Sequence, residues 1–323
     1  MFNVQYFTLL VMCSLHICNT ASGEQISFSK KIHNQDEVTN YQFSYQWQDY
    51  LNGQQSLIFQ LPQHTIFDRY RNFRKHNNNH IQHAVYHALQ KHFNNNPVNG
   101  IEVQLSQNLY PRVIGNDETQ VNKIYKLIGK LTQKYRYEYL KSVYYHQFTT
   151  HQKILGIKPD HSLIAIESVA DLKALKPIIL GKASIKNIRK VSNYVLGFIQ
   201  NIPYITLESR ITSSGKNFKP PLRLLWENQG DCDSKVTLAA SLLRALMPRV
   251  NLALIFMDNH ALIGIDIKPK KNDIAIVLNN ITYVVAEVSG PDLLPIGKLM
   301  PSSRQEILAG HYVAEKLTDL SNL

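Results

Sequence analysis

The sequence predicts an α+β protein in which a helix packs on an antiparallel sheet, preceded by a smaller α+β region. Two observations carry this. After Cys232, the residues Val236, Ala239, Ala240, Leu243 and Leu246 recur at spacings of three and four, which is one face of a helix. After Leu252 the period drops to two, and short apolar segments follow one another. The 323 residues suffice for about two domains. We place an export signal over residues 1–23, an N-terminal α+β domain of unassigned role over 24–155, and the helix-and-sheet domain over 156–323.

A hydrophobic content of 44% marks a globular chain, and the formal charge of +11 biases it toward anionic surroundings. Phe7–Cys18 is a mostly apolar run, too short to span a membrane comfortably. It fits the apolar part of an export signal, with the small residues Ala21, Ser22 and Gly23 before Glu24. Met1–Tyr6 lacks the usual Lys or Arg, and Leu15-His16-Ile17-Cys18 lacks the small residues of a lipoprotein box. The expected location is periplasmic or secreted, with no stable membrane span. Export argues against a nucleic-acid partner and leaves an anionic cell-envelope polymer. Signal removal takes Cys13 and Cys18 away, so the lone thiol Cys232 stands out as reactive.

Taken in order, Val38–Leu61 predicts a hairpin. Tyr41, Phe43, Tyr45 and Trp47 alternate with polar residues, Asn52-Gly53 turns the chain, and Leu57, Phe59 and Leu61 alternate back. A helix is expected from Phe67 to Phe93, a strand region over Ile101–Val113, and a long helix from Glu118 to Tyr145. His76, His80, His83 and His87 form a stripe on the first helix. Such a stripe is a metal site or a polar face, and no Cys or carboxylate cluster accompanies it, so no metal is assigned. Lys134–Lys141 interleaves basic and aromatic residues, as nucleic-acid binders and solvated helix faces both do. Pro159–Ile179 reads as a connection, Ile185–Ile202 as a helix, and Lys216–Pro221 as a loop. Strands are expected at Leu252–Met257, from His260, at Ile274–Leu278 and at Ile281–Val288, with a turn at Asn279-Asn280.

Cys232, His260 and Glu287 follow one another on helix, strand and strand. Asp231 caps the helix, so Cys232 lies in its first turn, where the helix dipole favours thiolate. Asp231 and Asp233 push the other way, and a lone Cys on an apolar face also reads as a small core residue. His260 opens a strand and Glu287 ends one. Both lie at one end of the sheet if the chain reverses once between them, with Ile274–Leu278 extending the His260 strand. A thiolate attacks an acyl carbon, an imidazole moves the proton, and a carboxylate orients the imidazole.

Four segments resemble the transglutaminase-like superfamily of bacterial proteins: Phe198–Tyr204, Gly230-Asp231-Cys232-Asp233-Ser234-Lys235 with Leu242-Leu243-Arg244, His260–Ile265, and Tyr283–Glu287. The resemblance covers about residues 186–297. It implies a papain/transglutaminase-like core with Cys232 as nucleophile, His260 as base and acid, and Glu287 as orienter. It also implies backbone N–H donors for the oxyanion, and no metal or organic cofactor. Leu262 stands where the family often has Trp, Glu287 where Asp is commonest, and Lys268–Asn272 lengthens the segment before the carboxylate. Gln229 is an oxyanion donor or a plain loop residue. The expected activity is a cysteine amidase or protease acting on a protein or peptide substrate through a thioester. The alternatives are an amine-using transglutaminase, an inactive scaffold of the same fold, or a metal binder using the His76–His87 stripe.

Overall fold

The computed structural model describes residues 25–35, 38–106, 110–183, 187–205 and 218–317; the expected export signal lies outside them. Three antiparallel strands open it: β1 (Gln25–Gln35), β2 (Val38–Gln48) and β3 (Gln54–Pro62), in that spatial order. β2 and β3 are the expected hairpin, turned where Asn52 takes a φ of 61°. A short amide side chain tolerates that left-handed backbone better than most. Phe43, Tyr45 and Trp47 on β2 and Leu57, Phe59 and Leu61 on β3 are buried, so the alternation does select one inner face. β1 was not expected. Lys30 and Lys31 interrupt its apolar pattern, as charges do on edge strands.

The helix expected over residues 67–93 is two helices, α1 (Gln63–Phe67) and α2 (Asn78–Asn95). The segment between them carries only Tyr70 and Phe73 as large apolar residues, and Asn77 caps α2 by accepting from the Asn79 N–H. A short hairpin, β4 (Ile101–Gln104) and β5 (Arg112–Gly115), leads to α3 (Glu118–Ser142), which Asp117 caps through the N–H groups of Thr119 and Gln120. A second hairpin follows, β6 (Tyr145–Thr149) and β7 (Leu155–Pro159). Apolar packing within residues 25–159 falls into two parts. Ile81, Val85, Leu89, Ile124, Ile128 and Leu131 build a core of their own. The β2–β3 face instead joins the large core made by the rest of the chain.

The segment expected as a connection holds two helices, α4 (His161–Leu172) and α5 (Leu175–Lys182). α4 is apolar nearly all round, and a helix packed on most sides shows no clean stripe. Next come α6 (Ile188–Gln200), α7 (Pro221–Glu227) and α8 (Cys232–Leu246). The sheet consists of β8 (Leu252–Phe256), β9 (Ala261–Ile265), β10 (Ala275–Leu278) and β11 (Ile281–Glu287), then α9 (Pro301–Ala309) and β12 (Val313–Lys316). The strands lie in the order β10-β11-β9-β8-β12, and every pair of neighbours is antiparallel. The molecule is therefore mixed α+β with antiparallel sheets.

α8 sits between layers. α4, α6 and α7 contact it on one side, β8 and β9 on the other, and every residue of the helix except Asp233 is buried. Its apolar stripe is only the part of that burial made by aliphatic side chains. Among the described residues, no helix is long and apolar enough to cross a membrane.

Candidate active site

The start of α8 is held in place by backbone. Asn228 ends α7 with a φ of 50°, and the chain then bonds to the segment after α6: the Gly230 N–H donates to the Pro203 carbonyl at 3.1 Å and the Ile205 N–H to the Gly230 carbonyl at 3.2 Å. A Cβ at position 230 would lie 2.7 Å from Leu224 Cδ1 and 3.2 Å from Ser234 Cβ, so any other residue there would force the buried Leu224 side chain to shift. Asp231 caps the helix, its Oδ1 accepting from the Ser234 N–H at 2.6 Å. That makes Cys232 the first helical residue. It is only 1% exposed, and its S–H donates to Asp233 Oδ1 at 3.7 Å.

His260 ends the turn before β9, where its carbonyl accepts from the Met257 N–H at 2.9 Å. β9 and β11 are neighbours, with Leu262 opposite Glu287. The imidazole and carboxylate therefore start from one end of the sheet, and His260 Nε2 lies 2.6 Å from Glu287 Oε2. The extra methylene of glutamate does not prevent the contact. Glu287 is fully buried, and its Oε1 accepts from the Met300 N–H at 3.1 Å, so both oxygens have donors. Gln200 bonds the Glu287 carbonyl at 3.0 Å and thereby ties α6 to the same strand.

The route between His260 and Glu287 differs from the expected one. The segment containing β10 neither extends β9 nor runs back beside it. It pairs with the outer edge of β11, so β10 and β9 flank β11 and point the same way. Lys268–Asn272 belongs to that crossing, and Arg189 pins it through Asp273 at 2.7 Å.

Two residues beside Cys232 carry no mark in the sequence. Lys235, one turn along α8, is completely buried, and its ammonium donates to the Ile202 carbonyl. Burial pulls its pKa down to about 7, while the nearby Cys232 and Asp231 draw it back up. His161, at the start of α4, is buried against α8. Its Nδ1 is 3.1 Å from Thr237 Oγ1, and its Nε2 is 3.9 Å from Asp233 Oδ2. The same ring packs on Phe256, which pairs with Ala261 beside His260. The α8 N-terminus and the His260 end of the sheet thus share a neighbour.

Two clefts meet at Gly290-Pro291. One, of about 460 Å³, is lined by His260, Glu287, Ser289 and Met300 among others. The other, of about 360 Å³, is lined by Asn201, Tyr204 and Lys235 among others. Gln229 is exposed in its loop, as are His80, His83 and His87, while His76 precedes α2. Among the described residues, no group of three or more His, Cys, Asp or Glu side chains could hold a metal ion. No protein-family model, curated protein or solved structure matches the chain.

Proposed function

We propose that this chain is an exported, cysteine-dependent amide hydrolase built on a papain/transglutaminase-like core. Cys232 is the nucleophile, His260 the base and acid, and Glu287 the orienter. The observation that carries the reading is the 2.6 Å contact between His260 and a buried carboxylate, at the sheet end that shares His161 with the first turn of α8. A buried Glu287 with both oxygens engaged sets the ring's orientation and stabilises it when protonated. With Nε2 committed to Glu287, Nδ1 is the nitrogen that exchanges a proton with the thiol.

The chemistry then balances in two steps. The Cys232 thiolate attacks an amide carbon, the C–N bond breaks, and the imidazolium gives its proton to the departing amine. Water, deprotonated by the imidazole, attacks the thioester; a carboxylate leaves and the thiol returns. Backbone N–H groups at the start of α8 are suited to the oxyanion. An amine in place of water makes the same machinery a transglutaminase.

A second reading has its own observation. Cys232 is 1% exposed and belongs to the large hydrophobic core, as an inert structural thiol would. Mass spectrometry of peptide mixtures and cell-wall peptides incubated with the protein in ¹⁸O-water separates the two. We expect new carboxyl ends that carry ¹⁸O, and a loss of at least about 10³-fold in Cys232→Ala. Turnover that survives Cys232→Ala contradicts the proposal.

A further inference from the structure

Asp233 stands between two groups. Its Oδ1 accepts from the Cys232 S–H at 3.7 Å, and its Oδ2 lies 3.9 Å from His161 Nε2. The hydrolase reading assigns no task to His161, yet the ring is 1% exposed and closely held. Phe218 meets it edge-on with ring centroids 4.7 Å apart, and Phe256 tilts against it at 5.2 Å.

The neighbours of this ring place its protons. Thr237 has one hydroxyl hydrogen, which it donates to the Asp233 carbonyl at 2.7 Å. The Thr237 oxygen therefore accepts from His161 Nδ1, 3.1 Å away, so Nδ1 carries a hydrogen. Nε2 then faces a carboxylate oxygen. Without a proton it would set a lone pair against a negative charge. With one, it forms an ion pair with Asp233, and a buried charge needs such a partner.

The consequence falls on the thiol. A carboxylate that accepts the S–H stabilises the protonated form, and its charge opposes a thiolate beside it. Asp231 adds a second negative charge at the same helix start, with Oδ1 committed to the Ser234 N–H. An imidazolium on Oδ2 offsets the charge of Asp233 and weakens its hold on the thiol hydrogen. The other charges around this point have partners of their own. Lys235 donates to the Ile202 carbonyl, and His260 pairs with Glu287. Lys158 lies over the Phe256 ring and pairs with Glu315 at 2.6 Å, while Asp160 caps α4 through the Leu163 N–H.

We infer that His161 is a positioning residue for the nucleophile: as an imidazolium paired with Asp233, it loosens the carboxylate's hold on the Cys232 hydrogen and makes the thiol more acidic. For its catalytic meaning this inference rests on the hydrolase reading.

A double-mutant cycle tests it, read as the pH profile of Cys232 alkylation by iodoacetamide, with peptide mapping to separate Cys232 from Cys13 and Cys18. We expect His161→Gln to slow alkylation at pH 7 by about tenfold, through a shift of the profile to higher pH, because an opposite charge nearby has been removed. In an Asp233→Asn background the same replacement changes the rate by less than about threefold, since the carboxylate it acted through is gone. A merely structural histidine would give equal effects in the two backgrounds. Equal effects, no effect of His161→Gln, or a shift to lower pH overturns the inference. The wild-type protein decides as well, without any variant having to fold. Its long-range ¹H–¹⁵N spectra should show both His161 nitrogens protonated at pH 7, and a neutral His161 there contradicts the proposal. The hydrolase reading fails separately, when His260→Ala leaves the Cys232 profile unmoved. A profile that answers to His260 but not to His161 ends this inference alone, and a Cys232 that resists alkylation until the protein unfolds ends both.

Discussion

On the proposed hydrolase reading, Glu287→Gln lowers the rate of amide turnover by about 10³–10⁴ while leaving the fold intact. The buried carboxylate serves two donors, His260 Nε2 through Oε2 and the Met300 N–H through Oε1. The amide has one acceptor oxygen and one donor group. If the oxygen keeps Met300, the NH₂ faces His260, and two donors oppose each other. The imidazole then turns to its other tautomer, and the imidazolium loses its counter-charge. Replacing the orienting carboxylate of a Ser-His-Asp triad by its amide costs a similar factor for the same reason. The same change is visible without a substrate. The thiolate–imidazolium pair weakens, so Cys232 becomes reactive only at more alkaline pH. Alkylation rates and thermal melting on the same samples check both halves. An unchanged alkylation profile would remove Glu287 from the site.

Lys235→Met makes the protein more stable at pH 6 and Cys232 less reactive. The lowered pKa of about 7, against 10.5 for an ordinary lysine, fixes the sign. Below about pH 7 the ammonium is charged in both the folded and unfolded chain, and the folded state bears the full cost of burying it. Between about pH 7 and 10.5 the unfolded chain holds a proton that the folded one has released, so this site's penalty shrinks as pH rises. The shift corresponds to at most about 5 kcal/mol at ~1.4 kcal/mol per unit. The hydrogen bond to the Ile202 carbonyl, worth about 1.5–3 kcal/mol, offsets part of it. A net gain of about 2 kcal/mol at pH 6, shrinking toward pH 10, is the expected result in urea unfolding. The same ammonium lies near the charges of Cys232 and Asp231. A buried ammonium favours thiolate. The variant that stabilises the fold should therefore raise the pH at which Cys232 alkylates. Equal destabilisation at both pH values would contradict this account.

These two residues also show where sequence reasoning reaches and where it stops. α8 was legible from its apolar spacing near 3.6, and β8, β9 and β11 as short, nearly continuous apolar runs that are buried on both faces. His260 and Glu287 could be brought to one end of a sheet because each sits at a strand boundary. The path between them could not be read, since β10 sits on the far side of β11 and pairing partners leave no trace in local pattern. α4 was hidden by its own burial, being apolar on nearly every side. β1 and β12 are edge strands, with lysines or only intermediate burial. Lys235 and His161 were missed for a different reason. Lysine three positions past a helix start reads as solvent-facing, and a lone histidine after Asp160 reads as a polar helix beginning. Only tertiary packing puts one under the first turn of α8 and the other beside Asp233.

The most direct test of the central claim is alkylation of Cys232 by iodoacetamide across a wide pH range, in wild type and in His260→Ala. The account predicts that Cys232 reacts with an apparent pKa well below the ordinary ~8.5 of a thiol, and that His260→Ala returns it toward that value. A Cys232 that stays inert until the protein is unfolded would make it a core thiol and end the enzyme reading.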